Sequence, residues 1–278
     1  MRRKRRGFSA FSLSFLDIMS CGFGAVVLLF FEIDKLKSEL KRLEQQKNAL
    51  QAQVKAKSNQ VRTFTGEGNR EYLTGLNLGG RRILILLDAS ASMLDDTIVN
   101  IIRRRNMDDA AKRRSWKWQQ ALATVDWISA RLPAASEYQI FTFNTGVDPA
   151  LKETKWRWLK VSNFDELNRS IEELKRVIPS GGSSLAAALA SINRLSPKPD
   201  NIYLITDGLP TQGLAPPRGT TITGAQRARL FEDAMSLLPR GVPINTILLP
   251  MEGDPAWAYW NVALLTRGAF LTPAKDWP

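Results

Sequence analysis

The chain of 278 residues is long enough for one membrane segment and one domain of ordinary size, and its apolar fraction of 44% sets it apart from disordered chains. Its net charge of +12 has the sign that nucleic-acid binding requires, yet five of the positive charges abut an apolar segment and read as a topology signal, so nucleic acid is not the expected partner. Histidine is absent, which excludes His-based zinc sites, Ser-His-Asp triads and Cys-His pairs, and the single cysteine, Cys21, excludes an intrachain disulfide.

Residues 1–7, "MRRKRRG", hold five of the 39 Lys and Arg residues and no acid. They abut Phe8–Phe31, 24 residues with one charge, which is longer than the roughly 20 needed to cross a bilayer. A cleaved signal peptide would have a shorter apolar run ending in a small-residue cleavage site. Here the run meets "EIDKLKSEL" instead, so a retained transmembrane helix over 8–31 is the better reading. The denser positive cluster precedes the span, which predicts a cytoplasmic N-terminus and a periplasmic or exterior C-terminal body. Asp17 falls about 14 Å into the span at 1.5 Å per residue. A carboxylate near mid-membrane costs about 2.5–3.5 kcal/mol to insert and is a functional candidate for that reason.

Residues 32–58 carry Ile33, Leu36, Leu40, Leu43, Lys47, Leu50 and Val54 at alternating spacings of three and four. This is a heptad seam with one polar entry, and it predicts a short coiled coil and a parallel homodimer. A single helix lying on another surface is the alternative. Extended backwards, the seam runs through Leu29, Val26, Gly22, Met19 and Phe15, and Asp17 lies about 200° round the helix from it. Asp17 therefore points away from a dimer partner, towards lipid or a further protein.

The short basic N-terminus, the early membrane Asp and the apolar "GAVVLLFF" finish resemble the ExbD/TolR and MotB subunits of proton-driven membrane motors. The resemblance covers about 25 residues. It implies that Asp17 is a proton acceptor and that a ring of multi-pass MotA/TolQ/ExbB-like subunits surrounds the helix pair in a bacterial inner membrane. The chain beyond the coiled coil does not resemble the usual periplasmic domains of those families.

Residues 59–80 read as a linker with a short strand at Val61–Thr65. From residue 81 the pattern alternates strand and helix, the mark of an α/β fold with an open, mostly parallel sheet flanked by helices. Strands are predicted at 81–88, 138–144, 201–207, 243–250 and 269–273, with an edge strand over 155–161 where basic residues alternate with Trp156 and Trp158. Helices are predicted at Trp116–Leu132, Phe164–Val177, Leu185–Leu195, Gly224–Leu238 and Ala256–Thr266. The helix at 164 is capped by Ser162 or Asn163. Between Met93 and Trp116 lies a basic passage containing Arg103–Arg105 and Lys112–Arg114. It reads either as a solvated helical face or as an insertion that meets an anionic partner, lipid headgroup or acidic protein.

In open α/β sheets function sits at the carboxyl ends of the strands, and three loops there carry oxygen ligands. "LLDASASM" offers Asp88, Ser90 and Ser92, "PSGGSSLAAAL" offers Ser183 after Gly181 and Gly182, and "ITDG" offers Asp207. Carboxylates and hydroxyls are the donors that Mg²⁺ selects. The ordered trio resembles the von Willebrand factor A (VWA) fold, Rossmann-like in its layering, with its metal-ion-dependent adhesion site, over residues 81–278. That resemblance implies that Ser90 and Ser92 coordinate a metal directly, that Asp88 and Asp207 act largely through water, and that Ser183 stands where the family has a Thr. It also implies a binding role, with an acidic side chain of a partner protein completing the metal's shell, and no catalysis.

Three functions are compatible with these readings. The first is a dimeric motor subunit that couples ion flow at Asp17 to the VWA domain. The second is a passive membrane-anchored adhesion or scaffold protein. The third is an assembly factor for an ATPase-driven machine.

Overall fold

A computed structural model describes Phe23 and residues 29–47, 76, 79–216, 219, 221–253 and 255–278. The chain divides into two compact units, Met1–Val61 and Arg62–Pro278. In the first, residues 29–47 are helical (α1), rich in Lys, Glu and Leu and free of Gly and Pro. Among the described residues no helix is long and apolar enough to cross a membrane. Most of the anchor expected over 8–31, with Asp17 and Cys21, lies outside the described residues, as do the coiled-coil positions beyond residue 47 and the strand expected at Val61–Thr65.

The second unit is a seven-stranded sheet between two layers of helices. Its strands are β1 (Arg82–Asp88), β2 (Glu137–Phe143), β3 (Val147–Pro149), β4 (Leu159–Lys160), β5 (Asn201–Thr206), β6 (Ile244–Leu248) and β7 (Phe270–Leu271), in the spatial order β3-β2-β1-β5-β6-β7 with β4 also on β2. The pairs β1–β2, β1–β5, β5–β6 and β6–β7 are parallel, and only β3 and β4 run antiparallel to β2. Because successive side chains point to opposite faces, Ile83, Ile85 and Leu87 enter one apolar cluster and Leu84 and Leu86 the other. Both faces are covered, which is why the central strand β1 reads as an unbroken apolar run from Ile83 to Leu87.

The helices are α2 (Ile98–Arg105), α3 (Asp109–Arg113), α4 (Trp116–Ser129), α5 (Phe164–Arg176), α6 (Leu185–Ser191), α7 (Gly224–Met235) and α8 (Ala256–Thr266). Trp118 and Val125 of α4 and Leu167, Ile171 and Leu174 of α5 pack on one face of the sheet. Leu185 and Leu189 of α6, Phe231 of α7 and Tyr259 of α8 pack on the other. Asn163 caps α5 by accepting from Glu166 N at 3.3 Å, with Asp165 and Glu166 in the first turn and Lys175 and Arg176 in the last. Thr223 and Gln226 close a capping box on α7.

Two expectations need correction, and one strand lies beyond them. The edge strand over 155–161 survives only as Leu159–Lys160, because Lys152–Thr154 form a 3₁₀ turn and Trp156 takes φ +64°, outside any strand. Trp156 packs edge-on against Phe141 with ring centroids 5.3 Å apart, so its alternation with Trp158 reflects core contact, and the edge strand is confined to Leu159–Lys160 on β2. The helix expected over Leu185–Leu195 changes at Ser191 to a 3₁₀ turn over Ile192–Arg194. The short strand β3 gave too little apolar signal to be drawn. The basic passage after Met93 forms α2 and α3, and Ile98, Val99 and Ile102 of α2 are exposed.

Candidate functional site

The carboxyl ends of β1 and β5 lie side by side, and the loop before α6 closes over them. Backbone hydrogen bonds join the loops: Ala91 N donates to Gly181 O at 3.1 Å, Ser180 N to Ala89 O at 2.9 Å, and Thr211 N to Ser183 O at 2.9 Å. Gly181 takes φ +74°, and a Cβ on Gly182 would stand 2.7 Å from Thr211 Oγ1. Both glycines are therefore needed to bring the serine loop this close.

All five residues expected at the site in the α/β unit converge. Asp88 Oδ1 accepts from Ser90 N at 2.8 Å, and its Oδ2 accepts from Ser183 Oγ at 2.8 Å and from Thr206 Oγ1 at 2.9 Å. Ser90 Oγ lies 2.9 Å from Ser92 Oγ, which in turn donates to Asp207 Oδ1 at 2.8 Å. Asp88, Ser90, Ser183 and Asp207 are buried, while Ser92 is partly exposed and marks the open side. The adjacent Ser184 acts on the helix instead. It caps α6 by accepting from Ala187 N at 3.2 Å and donates to Gly213 O at 2.6 Å.

Burial, and then repulsion from Asp207, push the Asp88 carboxyl up to about 6 against the hydrogen bonds from Ser90 and Ser183. Asp207 is paired with the buried Lys117 ammonium, whereas Asp88 has only neutral donors around it. The candidate metal donors are all oxygen, two carboxylates and three hydroxyls, which fits a hard divalent ion such as Mg²⁺. Among the described residues no group of three or more His, Cys, Asp or Glu side chains could hold a metal, so any ion here depends on the serines.

Residues that the motif spacing did not indicate complete the site. Thr206, the last residue of β5, holds Asp88, and Thr211 Oγ1 accepts from Ser183 N at 2.8 Å. Tyr259 of α8 donates to Gly208 O at 2.8 Å and fixes the turn after Asp207. Lys117 of α4 places its ammonium 2.5 Å from Asp207 Oδ2. The signal for Lys117 was faint: a lone basic residue between Trp116 and Trp118, in a helix whose other buried positions are apolar or uncharged. Asp95 carries a further contact. Although burial opposes it, hydrogen bonds from Asp96, Arg104 and Asn100 hold its carboxyl at about 2. The Arg104–Asp95 pair, 2.8 Å apart, ties helix α2 to the edge of the site.

Residues 83–209 match the family model of the von Willebrand factor type A domain. The match spans β1, β2, β5 and the three loops of the site, and the α/β unit has the VWA-like arrangement of a mostly parallel sheet flanked by helices. Similar solved structures include a von Willebrand factor type A protein from Catenulispora acidiphila, at 17% identity over 71% of this chain and 39% of that one, with a TM-score of 0.43. The conserved hypothetical protein BatB from Bacteroides thetaiotaomicron is similar at 14% identity over 69% of this chain and 89% of that one, with a TM-score of 0.44. The PilB minor pilin from Streptococcus sanguinis is similar at 14% identity over 71% of this chain and 58% of that one, also at 0.44. No curated protein matches the chain.

Proposed function

We propose that the chain is a membrane-anchored, dimeric binding protein whose VWA domain holds a partner through a divalent cation. The observation that carries this reading is the convergence of Asp88, Ser90, Ser92, Ser183 and Asp207 from three loops onto one partly open point. Ser90, Ser92 and Ser183 would hold the ion, with Asp88 and Asp207 behind them supplying charge. The ion would supply an electrophilic point for a carboxylate of the partner. A groove of about 480 Å³ opens beside Ser92 and Ser183, walled by Ile98 and Ile102 of α2, with Arg105 and Arg227 and, among the described residues, no acidic residue in its lining. Its charge and apolar wall suit an acidic protein segment.

In the full-length chain, MgCl₂ raises the melting temperature of the α/β unit by mass action. Replacing Asp88 and Ser90 by Ala removes that increment. An increment that survives the double substitution overturns the assignment.

Dimerisation is supported by α1, where Ile33, Leu36, Leu40 and Leu43 lie on one stripe and are 42–63% exposed in the single chain. The finer reading, a motor subunit within a ring of multi-pass proton-channel proteins, is supported by Asp17 in the apolar stretch Phe8–Phe31 of the sequence. Asp17→Asn abolishes function if the chain is proton-coupled. Unaltered function in that variant favours the passive scaffold.

A further inference from the structure

Lys117 belongs to the site, yet neither the motif spacing nor the family resemblance gives it a role. It stands in the first turn of α4 with no solvent exposure. An ammonium has three N–H donors and no acceptor. Three oxygens surround it: Asp207 Oδ2 at 2.5 Å, the Asp95 carbonyl at 2.9 Å and the Ser92 carbonyl at 3.1 Å. The Met251 sulfur lies at 3.7 Å and closes the remaining side. The donors are thus matched within the protein, as a charge at this depth requires. Asp207, meanwhile, divides its two oxygens: Oδ1 faces Ser92 Oγ and the candidate metal position, and Oδ2 faces the lysine.

We propose that Lys117 is a built-in cation of the binding site, which holds the Asp207 loop to the loop after β1 without metal and sets the site's charge when metal is bound. Only the second half of this proposal depends on the metal-binding reading above. Two carboxylates and one divalent ion would cancel. With Lys117 added, the loaded site keeps one positive charge, and that charge favours an anionic ligand group while it repels the metal. Lys117 therefore exchanges metal affinity for affinity towards the partner's carboxylate, and the loops stay assembled when metal is scarce.

The test uses the full-length chain, MgCl₂ as the probe and two variants. Lys117→Met keeps the stem and removes the charge; the second variant adds Asp207→Asn, which removes the charge that methionine leaves unpaired. In chelator, Lys117→Met lowers the melting temperature by roughly 10 °C, the consequence of stranding a buried carboxylate. Adding Asp207→Asn restores about half of that loss or more, because the two changes are coupled. By titration calorimetry, Lys117→Met binds Mg²⁺ about tenfold more tightly than the parent, or better. An unchanged melting temperature, or failure of Asp207→Asn to restore it, overturns the structural half. Equal or weaker Mg²⁺ binding by a folded Lys117→Met overturns the half that concerns metal. If neither parent nor variant binds Mg²⁺, the metal reading itself falls, and the rescue by Asp207→Asn alone decides the role of Lys117. Should Lys117→Met not fold, recovery of folding in the double variant supports the proposal, and failure to recover overturns it.

Discussion

Strand β1 is dry from Ile83 to Asp88, yet its middle and its carboxyl end are held by different physics. Ile83 to Leu87 have no exposure and lie in the two apolar clusters, where burial alone contributes the stability. Asp88, equally buried, sits among three hydroxyl or amide donors with a second carboxylate close by. The middle of the sheet needs nothing from solution. The end of the sheet has its stability tied to protons and cations, and a binding function can work through that dependence.

The largest expected effect breaks the middle and leaves the end as its control. Leu86→Ala removes a fully buried side chain from the central strand and costs about 2–5 kcal/mol in urea unfolding. That cost is the same in chelator and in Mg²⁺, and the same at pH 5 and pH 8. A cost that varied with either would mean the two parts of β1 are not separate.

The end of the strand shows the opposite behaviour. The Asp88 carboxyl is raised from 3.8 to about 6, by burial first and then by Asp207. Between those values the folded chain keeps a proton that the unfolded chain has lost, so stability falls as pH rises. The contribution is fully present below about pH 4 and lost through about pH 6, a change on the order of 3 kcal/mol in chelator. The difference between the parent and Asp88→Asn isolates it from other carboxylates, and Mg²⁺ flattens it. A difference that rose with pH would contradict the reading of the site.

The smallest effect sharpens the boundary between structure and function within one dipeptide. Ser184→Ala removes the cap on α6 and costs about 1 kcal/mol, with no change in the response to Mg²⁺. Its neighbour Ser183 faces Asp88 instead. A Mg²⁺ response that disappeared in Ser184→Ala would mean that the cap and the site are one feature.

Much of this was legible in the sequence. The parallel strands β1 and β5 are legible as apolar runs, since both of their faces are covered. Asp88, Ser90, Ser92, Ser183 and Asp207 were found by type and order, and their hydrogen bonds join them as a group. The features that escaped were set by tertiary contact. Lys117 looked like any helical lysine until Asp207, 90 residues away, was brought against it. Trp156 mimicked strand alternation because it packs on Phe141 from a backbone that no strand adopts. Thr206 was hidden in an apolar strand whose final residue turns its hydroxyl to Asp88.

The central claim is that five side chains from three loops form one cation site. Crystals of the chain soaked in MnCl₂, with data collected at the manganese edge, test it most directly. The account predicts a single anomalous peak within bonding distance, about 2–2.3 Å, of the Ser90, Ser92 and Ser183 hydroxyls, lost in Ser90→Ala. A peak elsewhere, or none at those hydroxyls at saturating manganese, would contradict it.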